Sequence, residues 1–417
     1  MLSHWIWLST RPHVSDRMKA ELARRFQNPE EIFYAGPDSL SLIEALSPEA
    51  VEALADKDLK TAEAILRDCG RKKIRILTWQ DASYPARLKN IPDPPLVLYY
   101  KGVLPDFDAS AVIGVVGTRK ASVYGMKIAK KMGYQLARCG GIVVSGMAYG
   151  IDAMATRGAL SAGASAVGIL GCGVDLVYPA SNRGLFEDME QYGCLLSEFT
   201  PGTPPIGHNF PKRNRLISGL SCGVLVVEAP EKSGALITAQ AALEQGRDVF
   251  VVPGNIDVDT FVGSNRLMRD GAIPVSCGWD ILSEYEPQFP GQIQKNDAPL
   301  PPEERMSAAF APQPERIRSK VAQKAKHFEK DTLSKQIEDK IAIDNGHASP
   351  YSDVEDKMPL LLPEEQKIVS VLTRQPRLIN DVLAETDIPS AKMLAILTML
   401  QVKGIIKQHP GNYISLV

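Results

Sequence analysis

The chain has 417 residues, 44% hydrophobic and 23% charged, enough for two or three cores of ordinary size in a soluble globular protein. A net charge of −2 and a pI near 6.4 exclude a global basic field, so any polyanion would have to be held by a local patch. No apolar run approaches the ~20 residues of a membrane span and no secretory leader is apparent, which predicts a cytoplasmic protein without a membrane partner.

Residues 14–70 carry apolar side chains three and four apart in "DRMKAELARRF", "DSLSLIEALS" and "AVEALADKDLKTAEAILRDCG", the period of helices, and 1–75 is read as a small helical domain. "IRILTWQDASYPARLKNIPDPPLVLYYKG" then gives a strand, a proline-rich crossing and a second strand. Between 76 and 285 the period changes. "AVIGVVG", "GIVVSG", "ASAVGILG", "CLLSEF", "GVLVVEA", "DVFVVPG" and "AIPVS" are short, nearly continuous apolar runs alternating with helical patterns. Strands apolar on both faces belong in a parallel sheet covered by helices on both sides, so this is a Rossmann-like, doubly wound α/β domain with a mainly parallel sheet. Residues 286–358, rich in Pro, Gln and mixed charge, read as a linker, and 359–417 has the helix, helix, strand-turn-strand order of a winged helix.

Ligands of an open parallel sheet collect at the carboxyl ends of its strands. Four such ends here are small or polar. They are Gly117, Thr118 and Arg119 in "GVVGTRKASVYG", Ser145 and Gly146 in "VVSGMAYGIDAMA", Gly171 and Gly173 in "GILGCGVDLVYP", and Ser233 and Gly234 in "EAPEKSGALITA". Backbone N–H groups at such turns face an anion, and glycine permits close approach. No GxGxxG closes the first strand and no GxxxxGK[ST] occurs, which favours a phosphate over a dinucleotide.

"HNFPKRNRLISGLS" supplies Phe210 and Lys212 in the loop after "CLLSEF", and Arg213, Asn214 and Arg215 at the start of the helix "RNRLISGLS" that precedes "GVLVVEA". Cations at a helix N-terminus are not favoured by its dipole, so an anion shared between them and the helix end is one reading, with Phe210 stacking a base. The other reading pairs both arginines with Asp or Glu in a structural network, with Asn214 satisfying backbone and Phe210 in the core. On the functional reading Arg119 and Arg213 both face solvent.

No catalytic constellation is visible: Glu198, Glu228 and Glu244 lack a His, Cys or Ser partner at useful spacing. The six histidines lack metal-ligand spacing, and Cys69, Cys139, Cys172, Cys194, Cys222 and Cys277 lack CxxC spacing and read as reduced core thiols. Neither a metal nor a cofactor is expected.

The motifs "GVVGTRKASVYG", "VVSGMAYGIDAMATRGAL", "GILGCGVDLVYPASN", "FPKRNRLISGLS", "VVEAPEKSGALITAQAALEQGRDVFVVPG" and "GSNRLMRDGAI" follow one another as in the DNA-processing protein A family, DprA or Smf, which this chain resembles over most of 80–285. The resemblance implies a single-stranded DNA-binding homodimer without enzymatic turnover, which protects incoming strands and loads the RecA recombinase onto them during natural transformation. It implies a phosphate pocket at Gly117, Thr118 and Arg119 with Ser145 and Gly146 beside it, and a basic aromatic loop from Phe210 to Arg215. It further likens the N-terminal helices to a SAM-like or helix-hairpin-helix module and the winged helix to an appendage for DNA or a protein partner. Two other functions compete. One is a small-nucleotide enzyme of the lysine-decarboxylase-like fold, for which "EKSGALITAQAALE" lacks a glycine of PGGxGTxxE and sets Glu244 farther on. The other is a duplex-binding regulator whose helix "SAKMLAILTMLQVKG" offers Lys392 and Lys403 to a major groove.

Overall fold

The computed structural model describes residues 1–296 except Gln27, and the greater part of 363–416. The linker from 297 onward, and Lys392 and Lys403 of the winged helix, lie outside the described residues. The chain forms two units, one within residues 1–315 and one within 316–417.

Six helices open the first unit: α1 Leu2–Ser9, α2 Asp16–Arg25, α3 Pro29–Tyr34, α4 Pro37–Ser41, α5 Pro48–Ala55 and α6 Lys60–Arg71. Their starts follow local chemistry: the side chains of Ser15, Asn28 and Ser47 accept from the backbone N–H three residues on, and proline occupies the first turn of α3, α4 and α5. The N-terminal run "WIWL", which carries no helical period of its own, is helix α1 with Trp5, Ile6, Trp7 and Leu8 all buried. Trp7 Nε1 donates to the Asp56 carbonyl at 2.9 Å, which satisfies the polar end of an otherwise apolar side chain.

The sheet that follows has nine strands: β1 Arg75–Thr78, β2 Val97–Gly102, β3 Val112–Val116, β4 Ile142–Ser145, β5 Ala166–Ile169, β6 Cys194–Ser197, β7 Gly223–Val226, β8 Asp248–Val251 and β9 Ile273–Pro274. Their spatial order is β1-β2-β6-β5-β4-β3-β7-β8-β9, parallel from β6 through β9, with β2 antiparallel to β6 and β1 antiparallel to β2. The chain winds outward from β3 through β4 and β5 to β6, then returns to place β7 on the other side of β3. The topological switch point therefore lies between β3 and β7, where a doubly wound sheet opens a crevice. The connecting helices are α7 Ala86–Lys89, α8 Val123–Arg138, α9 Ile151–Ser161, α10 Arg183–Tyr192, α11 Asn209–Leu220, α12 Gly234–Glu244, α13 Val262–Arg269 and α14 Gly278–Leu282.

Helices α8 and α9 touch backbone to backbone: a Cβ at Gly133 would lie 2.1 Å from the Ala155 carbonyl oxygen, and one at Gly158 2.1 Å from that of Lys130. Packing continues past residue 285, where Phe289 and Ile293 are buried and the Gln294 N–H donates to the Cys139 carbonyl at 3.1 Å.

In the second unit, helices Pro363–Val371 and Ile379–Thr386 accompany a three-stranded antiparallel sheet of Arg377–Leu378, Tyr413–Leu416 and Ile406–His409, with Tyr413–Leu416 in the middle. Ile368, Val382, Leu397, Leu400, Ile406 and Ile414 form its core.

Candidate nucleic-acid interface

A cleft of about 580 Å³ opens at the switch point, above the carboxyl ends of β3 and β7. Val116, Gly117 and Thr118 form its floor, Phe210, Asn214 and Ile217 of α11 one wall, and Ser233 to Thr238 at the start of α12 the other. Phe210, Asn214 and Ile217 recur at four and three residues, one face of a helix.

Glycine is required at the floor because helix α9 enters there. A Cβ on Gly117 would stand 2.5 Å from Ile151 Cγ1, and Gly150, at φ +72°, lies against the Thr118 carbonyl. The Thr118 N–H donates to the Glu228 carbonyl at 2.7 Å, tying the end of β3 to that of β7. The Glu228 carboxylate is wholly buried and accepts from the Ser122 N–H at 3.0 Å and the Ser122 hydroxyl at 2.8 Å, at the start of α8 where a helix dipole favours an anion. That carboxylate fills the space a side chain on Gly125 would need, since a Cβ there would lie 1.7 Å from Glu228 Oε2.

Arg119 projects from this floor. It is exposed, pairs with no carboxylate among the described residues, and its guanidinium carbon sits 5.1 Å from the centre of the Phe210 ring. The Phe210 ring is fixed from two other sides, by Tyr178 at 5.4 Å between centroids and by Gly171, where a Cβ would reach Phe210 Cδ1 at 2.7 Å. Ser233 caps α12, its side chain accepting from the Ala235 N–H at 3.3 Å, while Gly234 is exposed with nothing near its missing side chain. Lys232, exposed beside Ser233, adds a second cation to the cleft. One aromatic face, two cations and the amino end of a helix thus converge on an open volume, a set of groups suited to a phosphate carrying a flat apolar substituent.

The remaining predicted residues divide by burial. Arg213 lines the back of the cleft but is only 3% exposed, so its expected solvent-facing position is corrected. Its Nη1 donates to the Gly146 carbonyl at 2.7 Å and to that of Ile169, and its Nε donates to Asn214 Oδ1 at 3.1 Å. Burial draws its pKa down to about 10, with Asp152 opposing that shift. Asp152 in turn is pushed above the usual carboxylate range by burial, although Arg213 and the N–H groups of Ala148 and Gly146 pull it down. The pair braces the ends of β4 and β5 from behind the cleft.

Arg215 is likewise corrected from ligand to brace: Nη2 meets Glu198 at 2.6 Å and Nε meets Asp93 at 2.9 Å, all at the back of α11. Burial would depress this guanidinium, but Glu198, Asp93 and Asp16 outweigh it and raise its pKa above the ordinary value. Lys212 turns away from the cleft to Asp16 at 2.7 Å, tying α11 to helix α2. Ser145 is also removed from the cleft lining, because its buried hydroxyl donates to the Val115 carbonyl at 2.6 Å. Gly173 is buried against the chain at 200–203, accommodating the Thr200 carbonyl and the Gly202 N–H, so it too is structural. Gly146 and Gly171 line a smaller recess adjoining the cleft behind Arg119 and Phe210.

Of the predicted set, Gly117, Thr118, Arg119, Phe210, Arg213, Asn214, Ser233 and Gly234 are thus brought to the cleft. Lys232, Tyr178 and Asp152 belong to its lining without having been singled out from sequence. Lys232 stands in the same "EKSG" turn as Ser233 and was legible there; Tyr178 reaches the cleft only through the path of the loop after β5. Glu244 sits at the exposed far end of α12, where it accepts from Gln240 Nε2 at 3.0 Å, outside the cleft lining.

A profile of the family described as DNA recombination-mediator protein A matches residues 75–286, and one of the DprA winged helix domain matches residues 357–412. Protein Smf of Synechocystis sp. is 32% identical over 413 residues, 98% of this chain and 97% of that protein. DNA processing protein DprA of Bacillus subtilis is 41% identical over 221 residues, covering 53% of this chain and 73% of its own. The X-ray structure of DNA processing protein A from Streptococcus pneumoniae superposes at a TM-score of 0.61 and 32% identity over 68% of this chain and 98% of that one. Fold, cleft and likenesses define a Rossmann-like DNA-processing protein carrying a winged helix. Within that class, the chain belongs to the DNA-processing protein A family, also called DprA or Smf.

Proposed function

We propose that this protein binds single-stranded DNA in the switch-point cleft and acts as a recombination mediator without enzymatic turnover. The observation that carries the reading is the exposed Arg119, in no ion pair among the described residues, over the face of Phe210 at the rim of a cleft large enough for a nucleotide. Arg119, Lys232 and the start of α12 receive the phosphodiester, while Phe210 and the apolar surface of Ile217 and Ile237 receive a base. Arg213, Asp152, Arg215 and Glu198 hold α11 and the strand ends in place without touching DNA. In this reading the protein works in the cytoplasm as a homodimer, protects incoming strands during natural transformation and loads RecA onto them, and the winged helix contacts DNA or a protein partner.

Fluorescence anisotropy of a labelled oligonucleotide, single-stranded and then duplex, tests the binding. Single strands are expected to bind more tightly than blunt duplex, with affinity falling as salt rises by about 0.7 log units per log unit of salt for each phosphate contacted. Arg119→Ala is expected to weaken binding without lowering Tm. Equal affinity for both nucleic acids, or an unaffected variant, refutes the assignment. RecA loading is tested separately, by whether the protein speeds RecA-dependent ATP hydrolysis on strands already coated with single-strand-binding protein.

A further inference from the structure

We infer that helix α8 continues the DNA path: its outer face is a track for the phosphodiester backbone of a strand leaving the cleft. This rests on the proposed binding of single strands at Arg119 and extends it to residues outside the cleft. From Ala109 to Val174 the chain carries seven lysines and arginines and a single carboxylate, Asp152. Asp152 is buried on α9 at the cleft, where Arg213 and Arg119 attract it, and is not part of the outer face of α8. Within α8, "VYGMKIAKKMGYQLAR" contains no acidic residue at all.

Helices α2, α6 and α13 pair their charges along the helix, and the cations of α11 other than Arg213 pair with carboxylates of other segments. Asp16 meets Lys19 and Glu21 meets Arg24 on α2, Glu63 meets Arg67 and Asp68 meets Lys72 on and after α6, and Arg266 meets Asp270 at α13. On α8, exposed Lys127, Lys131 and Arg138 form no ion pair among the described residues. The exposed acids of adjoining segments, Glu284 and Glu286 beyond α14 and Asp257 and Asp259 before α13, form none with them either. A cation near a helix C-terminus gains from the dipole, which accounts for Arg138 but not for Lys127 or Lys131 in the middle turns.

At about 100° per residue, positions 124, 127, 131 and 138 fall on one face and span about 21 Å. The track begins at the cleft, because Ser122, three residues after Arg119, caps α8 by accepting from the Gly125 N–H at 2.9 Å. At that upper end Tyr124 is 49% exposed, with its ring steadied 6.0 Å from that of Phe261. Arg119, Lys120, Tyr124, Lys127, Lys131 and Arg138 thus follow one another from rim to flank, cations with an aromatic face among them. A strand without a paired partner can stack a base on such a face while its phosphates track the charges.

The test compares wild type with Lys127→Gln/Lys131→Gln/Arg138→Gln, whose helix propensities are close to those replaced. Oligonucleotides of about 5 and about 25 nucleotides separate the cleft from the track. Affinity for the short strand is expected to be unchanged and affinity for the long strand to fall, its log–log salt slope flattening by about 2 for three lost contacts. An unchanged long-strand slope in the triple variant, with binding still abolished by Arg119→Ala, overturns the track and leaves the cleft standing. Absence of any wild-type binding overturns both. Binding of wild type to vesicles rich in anionic lipid, lost in the variant while long-strand affinity is retained, assigns the face to a membrane and likewise overturns the inference.

Discussion

Replacing Arg213 by alanine separates a brace from a ligand. In the folded chain its guanidinium holds the carbonyls of Gly146 and Ile169 and attracts the Asp152 carboxylate without forming an ion pair with it, all out of solvent. Truncation removes the donors of those two carbonyls and one of the cations favouring the buried Asp152 carboxylate, and each buried polar group left unsatisfied costs about 1–3 kcal/mol. For a unit of this size such a loss lowers Tm on the order of 10 °C. The cost depends on pH with a definite sign. Burial already raises the Asp152 pKa, so the folded chain binds that proton more readily than the unfolded chain; without Arg213 the pKa rises further. The variant therefore recovers part of its deficit as pH falls from about 7.5 toward about 5, because its folded chain takes up the Asp152 proton more readily than the unfolded chain does. Calorimetry or circular dichroism melts at the two pH values read this directly. An unchanged Tm at both, with single-strand binding lost, would show that Arg213 faces the ligand and would refute the brace.

Phe210→Ala is expected to weaken single-strand binding by about 5- to 150-fold, the equivalent of about 1–3 kcal/mol for one stacked base, as read by anisotropy. Gly171→Ala acts on the same ring from behind, since its Cβ would meet Phe210 at 2.7 Å. It should weaken binding in wild type but add little to Phe210→Ala, a coupling that a double-mutant cycle measures. Asp16→Asn tests the tie between α2 and α11. Burial opposes ionisation of Asp16, yet Lys212, Lys19 and Arg215 hold its pKa below the usual value, so its contribution is present at neutral pH and fades as pH falls through the carboxylate range. The variant should melt earlier than wild type at pH about 7, and the gap should close only as pH falls below the usual carboxylate range; equal melting at pH about 7 would remove the tie.

Much of the architecture was legible because parallel strands buried on both faces leave unbroken apolar runs, and "AVIGVVG" or "GVLVVEA" allows few other readings. The amphipathic helices of 14–70 were equally open. Helix α1 was not, because "WIWL" is enclosed on all sides and shows no polar face to set a period. Within "FPKRNR" the sequence states which residues are charged but not which way they turn. On a helix, Phe210 and Asn214 share a face with the cleft, whereas Lys212 and Arg215 point to the back, where carboxylates from positions as distant as Asp16 and Asp93 await them. Those partners lie far away in sequence, so the stretch alone does not show that Phe210 and Asn214 line the cleft while Arg215 pairs with carboxylates and Arg213 with backbone carbonyls.

The helices of the first 71 residues share one continuous core with a face of the sheet, running from Trp5 and Trp7 through Leu96 and Tyr99 to Ile113 and Val115. Ion pairs from Asp16 to Lys212 and Arg215 cross the same boundary. A segment joined in this way cannot melt alone, because its departure would strip apolar area from the sheet and leave α11 without counter-charges. The first unit should accordingly lose its structure in one cooperative step, with Trp5 and Trp7 reporting the unfolding of a cleft to which neither belongs. Trimming the chain to its α/β portion would yield a destabilised remnant with an uncovered apolar face, more prone to associate than to work.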